Sequence, residues 1–229
     1  MLDALALDPS TVHTPALPGF VEPAAADFPA TMHAYADWLA GEVDRLYAAS
    51  GPVDLVGHDW GALLALRVAH LRRARIRSWT LVNGAFDPQY RGHFIARVWA
   101  TPVLGDLSRL VFCPLTVRMV IRLCHVPAPV AAREAARVTP SMKRCIVKLY
   151  RSAGGLREFG PWYDGLDAMP ERGLVVWSGR DPFMPRALAE RVSARTGAAL
   201  HVEEEASHWL PLTHPAALAQ LLADHWRAD

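Results

Sequence analysis

Gly57-His58-Asp59-Trp60-Gly61-Ala62 is the stretch of this 229-residue chain that decides its fold. It directly follows the apolar run Val53–Val56 and directly precedes residues 63–70, which have helical character. A strand, a tight turn with glycines four residues apart and a helix form the setting of a nucleophile elbow, which lifts a reactive side chain out of a sheet. The central side chain is Asp59, where esterases and lipases carry serine. The sequence therefore predicts attack by a carboxylate on an electrophilic carbon instead of acyl transfer.

Apolar runs typical of buried strands recur along the chain. They are Val53–Val56, Ser78–Val82, Leu174–Trp177 and Ala199–Val202. Helical patterns precede or separate them, at Thr31–Ala49, Arg186–Arg195 and Pro215–Arg227. Strands that alternate with helices indicate βαβ units and a mainly parallel sheet, which is the α/β class. Such a sheet places its working residues in loops beyond the carboxyl ends of the strands.

Residues 85–168 break this alternation. No strand is obvious there, and prolines separate several helical stretches. We interpret the segment as a helical cap, or lid, inserted into a core domain of residues 1–84 and 169–229 and covering the catalytic edge of the sheet. The alternative is that these helices belong to the helical layer of the core itself.

Composition and charge exclude several classes of function. The net charge of +1 predicts no long-range attraction to nucleic acid or to a membrane surface. The three cysteines lack CxxC spacing, which predicts reduced thiols in a cytoplasmic protein. The start of the chain lacks a basic leader, and no apolar run reaches the roughly 18 residues of a membrane span. We therefore expect a cytoplasmic protein with no nucleic-acid or membrane partner.

An acid and a histidine follow the elbow in the order that a catalytic triad of this kind requires. Asp181 comes just after the third predicted strand, and His208 comes after the fourth. Because the carboxyl ends of parallel strands meet at one edge of a sheet, Asp59, Asp181 and His208 are predicted to converge.

Charge assigns the roles of these residues. Asp59 is a carboxylate at neutral pH, so it can attack carbon without a base and form an alkyl-enzyme ester. His208 would then take a proton from water to hydrolyse the ester, and Asp181 would orient the imidazole. The backbone N–H of Trp60 would supply one half of an oxyanion hole. The expected partners are a small apolar electrophile and water. No cofactor or metal is expected, because the histidines lack metal-ligand spacing.

These motifs together resemble the α/β-hydrolase superfamily, specifically its Asp-nucleophile branch of epoxide hydrolases and haloalkane dehalogenases. The resemblance covers nearly the whole chain. The elbow, the segment Trp177–Pro182 around the acid and the segment Ser207–Trp209 around the histidine carry it. The segment Thr14–Phe20 is similar to the one after the fourth strand of the family, with Ala16 where aspartate is usual. The resemblance implies the α/β-hydrolase fold with a helical cap.

Epoxide opening needs an acid for the departing oxygen, and epoxide hydrolases use lid tyrosines. Leu149-Tyr150-Arg151 is similar to their Tyr-Arg pair, so the resemblance makes Tyr150 the candidate ring-opening acid. Tyr90 is a candidate for the second lid tyrosine, and Tyr163 is another candidate. The alternative is that Tyr150 is a core tyrosine of an amphipathic helix.

Dehalogenation instead needs N–H donors for the halide. Trp60 offers one indole, and Trp99 or Trp162 in the lid could offer another. Tryptophan after the nucleophile occurs in both families, so Trp60 does not decide between epoxide and haloalkane. Packing is the alternative role for the lid tryptophans.

One part of the family pattern is missing. The family places a His-Gly-x-Pro turn, which supplies the other oxyanion amide, after its third strand, and this sequence has no such motif. Strands one to three are thus expected to be absent, with residues 1–7 resembling the end of the helix that follows them. Either the natural protein is longer, or this is a shortened relative with impaired catalysis that binds an apolar ligand or a partner. A homodimer is possible.

Overall fold

The strands of the chain form one parallel sheet in its computed structural model, which describes residue 5 and residues 7–227. They are β1 (Val53–His58), β2 (Ile76–Val82), β3 (Gly173–Ser178) and β4 (Ala199–Glu203). Their order in the sheet is β1-β2-β3-β4, and every neighbouring pair is parallel. Each of the four predicted strands lies within an observed one, and the predicted α/β class with a parallel sheet is confirmed.

Helices connect these strands. The first are α1 (Met32–Ser50) and α2 (Trp60–Leu71), the latter following the elbow directly. Residues 85–168 then hold α3 (Phe94–Ala100), α4 (Leu104–Val111), α5 (Pro114–Leu123), α6 (Ala128–Ala135), α7 (Pro140–Ser152) and α8 (Gly160–Tyr163). The last are α9 (Arg186–Thr196), α10 (Leu210–Thr213) and α11 (Pro215–Arg227). Residues 85–168, all of them described, contain no strand, as predicted.

The centre of the sheet is the core of the molecule. Every residue of β3 is buried, because strands lie on both sides of it and helices cover its faces. One face packs Val82, Leu174 and Val176 against Leu218 and Leu222 of α11. This burial fixes the register of the strands and so fixes where their loops emerge.

β1 lies at the edge of the sheet. It pairs with β2 on one side, and within the described residues no strand pairs with its other side. Its residues are mostly half-buried. No strand occurs among residues 7–52, so no earlier strand of the family pattern pairs with β1 within the described residues. The helix end expected at residues 1–7 lies almost entirely outside the described residues.

Contacts divide the chain into two compact units. The first contains residues 1–15, 39–85 and 165–229, and the second contains residues 16–38 and 86–164. Residues 16–38 thus group with the helical segment, whereas the sequence placed them in the core domain. Two hydrogen bonds within the second unit accompany this grouping. The Met32 N–H donates to Ser152 Oγ at 2.8 Å, and the Tyr35 hydroxyl donates to the Pro18 carbonyl at 2.8 Å.

Among the described residues, no helix has both the length and the apolar character that crossing a bilayer requires.

Candidate active site

Polar side chains follow each strand of the sheet at its carboxyl end. Asp59 comes directly after β1 and Asn83 directly after β2. Asp181 follows β3 by three residues, and His208 follows β4 by five. All four residues belong to the first unit. The parallel sheet therefore brings them to one edge, as expected of residues that follow parallel strands.

The elbow holds Asp59 in a strained backbone conformation. Its φ of 52° and ψ of −124° lie in a region that non-glycine residues rarely adopt. Close backbone approaches surround it. A Cβ on Gly57 would lie 2.3 Å from the Gly61 carbonyl oxygen, and one on Gly84 would lie 2.3 Å from the Asp59 carbonyl oxygen. The turn is therefore possible only because Gly57 and Gly84 lack side chains.

Asp59, His208 and Asp181 form a chain of ionisable contacts. His208 Nε2 lies 3.3 Å from Asp59 Oδ1, and His208 Nδ1 lies 2.8 Å from Asp181 Oδ2. The side chain of His208 is 4 % exposed and that of Asp181 is 1 % exposed, whereas Asp59 is 41 % exposed. The structure thus brings together the three residues predicted from the sequence, and only Asp59 is open to an incoming molecule.

Hydrogen bonds distinguish the two carboxylates. Asp181 Oδ1 accepts from the backbone N–H groups of Phe183 at 2.8 Å and Met184 at 3.0 Å. Its Oδ2 accepts from Asn83 Nδ2 at 2.7 Å and faces His208 Nδ1. Four donors saturate this buried group, which suits it to orient the imidazole and leaves no lone pair for attack.

Asn83 is a positioning residue that the sequence did not reveal. It is fully buried, has a positive φ of 49°, and donates to Asp181 as described above. Its Oδ1 lies 3.0 Å from the hydroxyl of Ser178, which is also 2.8 Å from the Ser207 carbonyl and can donate to one of them at a time. The sequence feature that could have identified Asn83 is its position, because it is a polar residue directly after a buried strand.

The two acids set the pKa of His208. Burial alone lowers the pKa of this imidazole, but hydrogen bonds to Asp181 and Asp59, together with their negative charges, outweigh burial and raise it to about 10. Partial burial likewise opposes ionisation of Asp59, yet the hydrogen bond and charge of His208 hold the Asp59 pKa far below its usual range. At neutral pH the resting pair is an imidazolium beside a carboxylate.

His58 supports the histidine loop from β1. Its Nε2 lies 2.8 Å from the His208 carbonyl oxygen, so Nε2 carries the proton and donates to it. Burial, followed by the charge of His208, lowers the pKa of His58 to about 4. His58 is therefore neutral at pH 7 and serves as a hydrogen-bond donor to the histidine loop.

Two predicted lid residues contact each other in the second unit. Tyr150 on α7 is almost fully buried, and its ring lies 4.9 Å from that of Trp99 on α3, edge to face. The imidazole of His93 lies 6.0 Å from the same tyrosine. Tyr150 thus occupies an aromatic cluster, as its alternative role as a core tyrosine expects. Its role as an acid stays a prediction.

The remaining predicted side chains are placed as follows. Trp60 is the first residue of α2 and is buried, so its N–H belongs to the helix N-terminus beside Asp59. Trp162 on α8 is buried against the rings of Phe86 and His33. Tyr90 is half-buried in the loop before α3. Substrate contacts of these side chains stay predictions.

No group of three His, Cys, Asp or Glu side chains among the described residues could hold a metal ion.

Comparison with known proteins gives the family. The sequence model of the alpha/beta hydrolase family matches residues 1–221. The chain is similar to a pimeloyl-[acyl-carrier protein] methyl ester esterase of Neisseria meningitidis, with 26 % identity over 86 % of this chain and 75 % of the esterase. It is also similar to the AB hydrolase superfamily protein YfhM of Bacillus subtilis, with 24 % identity over 75 % of this chain and 64 % of that protein.

Solved structures show the same fold. The 2-hydroxy-6-oxo-6-phenylhexa-2,4-dienoate hydrolase of Rhodococcus sp. strain RHA1 superimposes with a TM-score of 0.74 and 17 % identity, over 93 % of this chain and 78 % of that one. An esterase from Thermogutta terrifontis gives 0.67 and 20 % identity, over 92 % and 77 %. These relatives are esterases and hydrolases. The solved structures show the fold, the sequence model shows the family, and none of these comparisons shows the expected epoxide hydrolase or dehalogenase branch.

Proposed function

We propose that this chain, which belongs to the alpha/beta hydrolase family, is a hydrolase with a carboxylate nucleophile. Its proposed substrate is an epoxide. The single observation that carries this proposal is Asp59 at the elbow, partly exposed and 3.3 Å from His208. An acyl-transfer enzyme needs a nucleophile that a histidine activates. A carboxylate is already ionised and suits attack on a saturated, electrophilic carbon.

Charge and proton balance describe the proposed reaction. Asp59 Oδ attacks one epoxide carbon, the carbon–oxygen bond of the ring breaks, and the departing oxygen takes a proton from an acid of the lid. The product is a hydroxyalkyl ester of Asp59. Water then adds to the carbonyl carbon of that ester and loses a proton to His208. Collapse of the tetrahedral intermediate breaks its bond to the alkyl oxygen, which takes the remaining proton of the added water. A diol is released and the Asp59 carboxylate is restored.

The pKa of His208 suits this sequence of steps. In the resting pair His208 is protonated, because Asp59 and Asp181 raise its pKa to about 10. Forming the ester removes the charge of Asp59, so the His208 pKa falls and the imidazole gives up its proton more readily. That proton balances the one consumed when the ring opens. His208 thus becomes a base only after the ester has formed, when a base is needed.

Tyr150 favours an epoxide over a haloalkane, because a halide leaves without a proton and an epoxide oxygen does not. The support is the Leu149-Tyr150-Arg151 resemblance described above. A haloalkane dehalogenase with the same triad is the second candidate, supported by the buried indoles of Trp60 and Trp162. Esterases such as the named relatives are expected to use a serine hydroxyl as the nucleophile at the elbow. In this chain Asp59 occupies that position.

A single turnover in ¹⁸O-labelled water tests the ester intermediate. With enzyme in excess over an aryl epoxide such as styrene oxide, we expect no label in the first diol. The peptide that contains Asp59 gains one ¹⁸O instead, because water attacks the carbonyl carbon of the ester. Mass spectrometry of the diol and of the proteolysed protein measures both.

Label in the first diol would show that water attacks the epoxide directly and that Asp59 only orients His208. Absence of turnover with epoxides and with haloalkanes, by a chain that circular dichroism shows to be folded, would leave a non-catalytic scaffold. These two outcomes contradict different parts of the proposal.

Replacing Tyr150 by Phe tests the choice of substrate. We expect kcat for epoxide opening to fall by about 10²-fold or more, the usual contribution of a positioned acid. Haloalkane turnover should change little, since no proton is transferred to the halide. Steady-state rates on styrene oxide and on 1-bromobutane measure the difference.

Tyr35→Phe is the matched control for this variant. Tyr35 is a buried tyrosine of the same unit, and its hydroxyl donates to the Pro18 carbonyl. It reports the effect of losing a buried hydroxyl on stability alone. Equal losses in Tyr150→Phe and Tyr35→Phe, or a loss of dehalogenation with epoxide opening intact, would contradict the assignment of Tyr150.

A further inference from the structure

The charge of the chain is unevenly distributed. Residues 86–164 contain twelve Arg or Lys and five Asp or Glu, a net charge of +7. Because the whole chain carries only +1, the remaining residues together carry −6. The balanced total that predicted no attraction to a membrane thus conceals a strongly basic helical segment within the second unit.

Apolar side chains are exposed on α4 of this segment. Leu104, Leu107, Leu110 and Val111 each have more than half of their surface open to solvent, and Leu110 reaches 78 %. Spacings of three and four residues place them along one side of the helix. Gly105 is the buried residue of α4. The apolar side of this helix therefore faces away from the unit that holds it, opposite to the usual orientation.

The next helix, α5, repeats this arrangement. Leu115, Met119 and Leu123 recur every four residues and are each more than half exposed, while Ile121 is buried. The hydroxyl of Thr116 donates to the Val111 carbonyl, which ties the first turn of α5 to the end of α4. Scattered exposed leucines need no explanation, but two consecutive helices with exposed apolar sides indicate a binding surface.

Cationic side chains lie among these apolar ones. Arg118, Met119, Arg122, Leu123 and Ala128 line a groove of about 450 Å³ on α5 and the start of α6. A second groove, of about 220 Å³, contains Arg109, Leu110, Lys143 and Arg144, with Asp106 and Pro140. Guanidinium groups thus lie beside apolar side chains in both grooves, and the second groove also contains the ammonium group of Lys143.

We propose that the exposed surface of α4 and α5 docks onto an anionic phospholipid bilayer, with the apolar side chains inserted among the lipids and the arginines at their headgroups. An amphipathic helix with basic residues beside its apolar face lies in the membrane interface in this way. Reversible anchoring of this kind needs an apolar contribution and an electrostatic one, and this surface provides both.

Charge and apolar character argue against two other partners for the exposed surface of α4 and α5. If a second copy of the chain paired through the same surface, two segments of +7 would face each other and repel. A soluble acidic protein would neutralise the arginines but would need its own apolar surface to cover seven exposed large side chains. A lipid surface provides negative charge and apolar chains together.

Vesicle flotation tests this proposal. We expect the full chain to float with vesicles of equal parts phosphatidylcholine and phosphatidylglycerol, to bind vesicles of phosphatidylcholine alone much more weakly, and to be released by added salt. Leu107→Ser with Leu110→Ser should weaken binding by about tenfold or more. Arg118→Gln with Arg144→Gln should weaken it by about fivefold for each charge removed.

Leu71→Ser and Arg73→Gln are the matched controls, since both residues are exposed in the first unit. They should leave vesicle binding unchanged, and circular dichroism should show every variant folded. Failure to float with anionic vesicles, or binding that survives both pairs of substitutions, would overturn the proposal. So would a stable dimer in light scattering that the leucine substitutions dissociate, or equally strong binding to soluble polyglutamate that those substitutions leave unchanged.

Discussion

Replacement of Asp59 by Asn is expected to abolish turnover, by on the order of 10⁴- to 10⁶-fold in kcat, which is the loss seen when an enzyme nucleophile is removed. The amide of Asn is a poor nucleophile, and its size keeps the elbow intact. Rates on styrene oxide, measured with enzyme concentrations high enough to detect slow turnover, give the ratio.

The same substitution should lower the pKa of His208. Asp59 and Asp181 together raise that pKa to about 10, so loss of the Asp59 charge removes part of the cause. Titration of the imidazole by NMR, in the wild type and in Asp59→Asn, measures the shift. An unchanged pKa with activity lost would show that Asp59 and His208 are not in contact in solution.

Asp59→Ala is the second variant, because Asn at this position can hydrolyse back to Asp and restore activity with time. Activity that recovers in Asp59→Asn and stays absent in Asp59→Ala would support the nucleophile. An Asp59→Ala variant that retains more than about a tenth of wild-type kcat would contradict the role of Asp59, since such a loss is about 1.4 kcal/mol and typical of an accessory residue.

The sequence predicted the sheet well because buried parallel strands read as continuous apolar runs. β3 is the clearest case, since all six of its residues are apolar or small and all are buried. The observed ends differ from the predicted ones by one or two residues, since a strand continues until its ladder of backbone hydrogen bonds stops. β1 extends through Gly57 and His58 to the elbow itself.

The grouping of residues 16–38 with the helical unit was not predictable. It depends on contacts between positions far apart in sequence, such as the Met32 N–H with Ser152, 120 residues away. Periodicity within a window reports local structure only. The outward apolar side of α4 was hidden for the same reason, because amphipathic spacing does not say which way a helix faces.

At the site, the sequence identified the three residues that lie in recognisable motifs. It did not identify Asn83, which lies in none. Asp59, Asp181 and His208 stand in recognisable local sequences after strands. Asn83 has no motif, and its importance comes from hydrogen bonds to Asp181 and Ser178, both nearly 100 residues away. Of the two elbow glycines, Gly57 is sterically required, whereas Gly61 has no neighbour within 4 Å of an added Cβ.

Replacement of His208 by Gln is expected to trap the covalent intermediate. Hydrolysis of the ester should slow by roughly 10²–10⁴-fold, the usual value of a positioned base. Formation of the ester needs the Asp59 carboxylate and, for an epoxide, the acid of the lid, but it does not need His208 as a base. Loss of His208 raises the Asp59 pKa, because burial opposes ionisation, but the Trp60 N–H still favours the carboxylate and the side chain is 41 % exposed. The ester should therefore form and accumulate.

Intact-protein mass spectrometry distinguishes the two substrates in this variant. An epoxide adds its whole mass, because no atom leaves when the ring opens. A haloalkane adds its mass less that of the hydrogen halide, because the halide departs as Asp59 bonds to carbon. Proteolysis should place the adduct on the peptide that contains Asp59.

The double variant Asp59→Ala with His208→Gln is the control, and it should acquire no adduct. An adduct that persists in it would lie on another nucleophile, such as a cysteine.

His208→Gln also removes the partner of Asp181. This buried carboxylate would lose one of its four donors, and some loss of stability is expected. Asn83→Ala removes another of those donors while leaving His208 in place. If Asn83→Ala lowers the melting temperature similarly and traps no ester, trapping in His208→Gln reflects loss of the base and not loss of the fold.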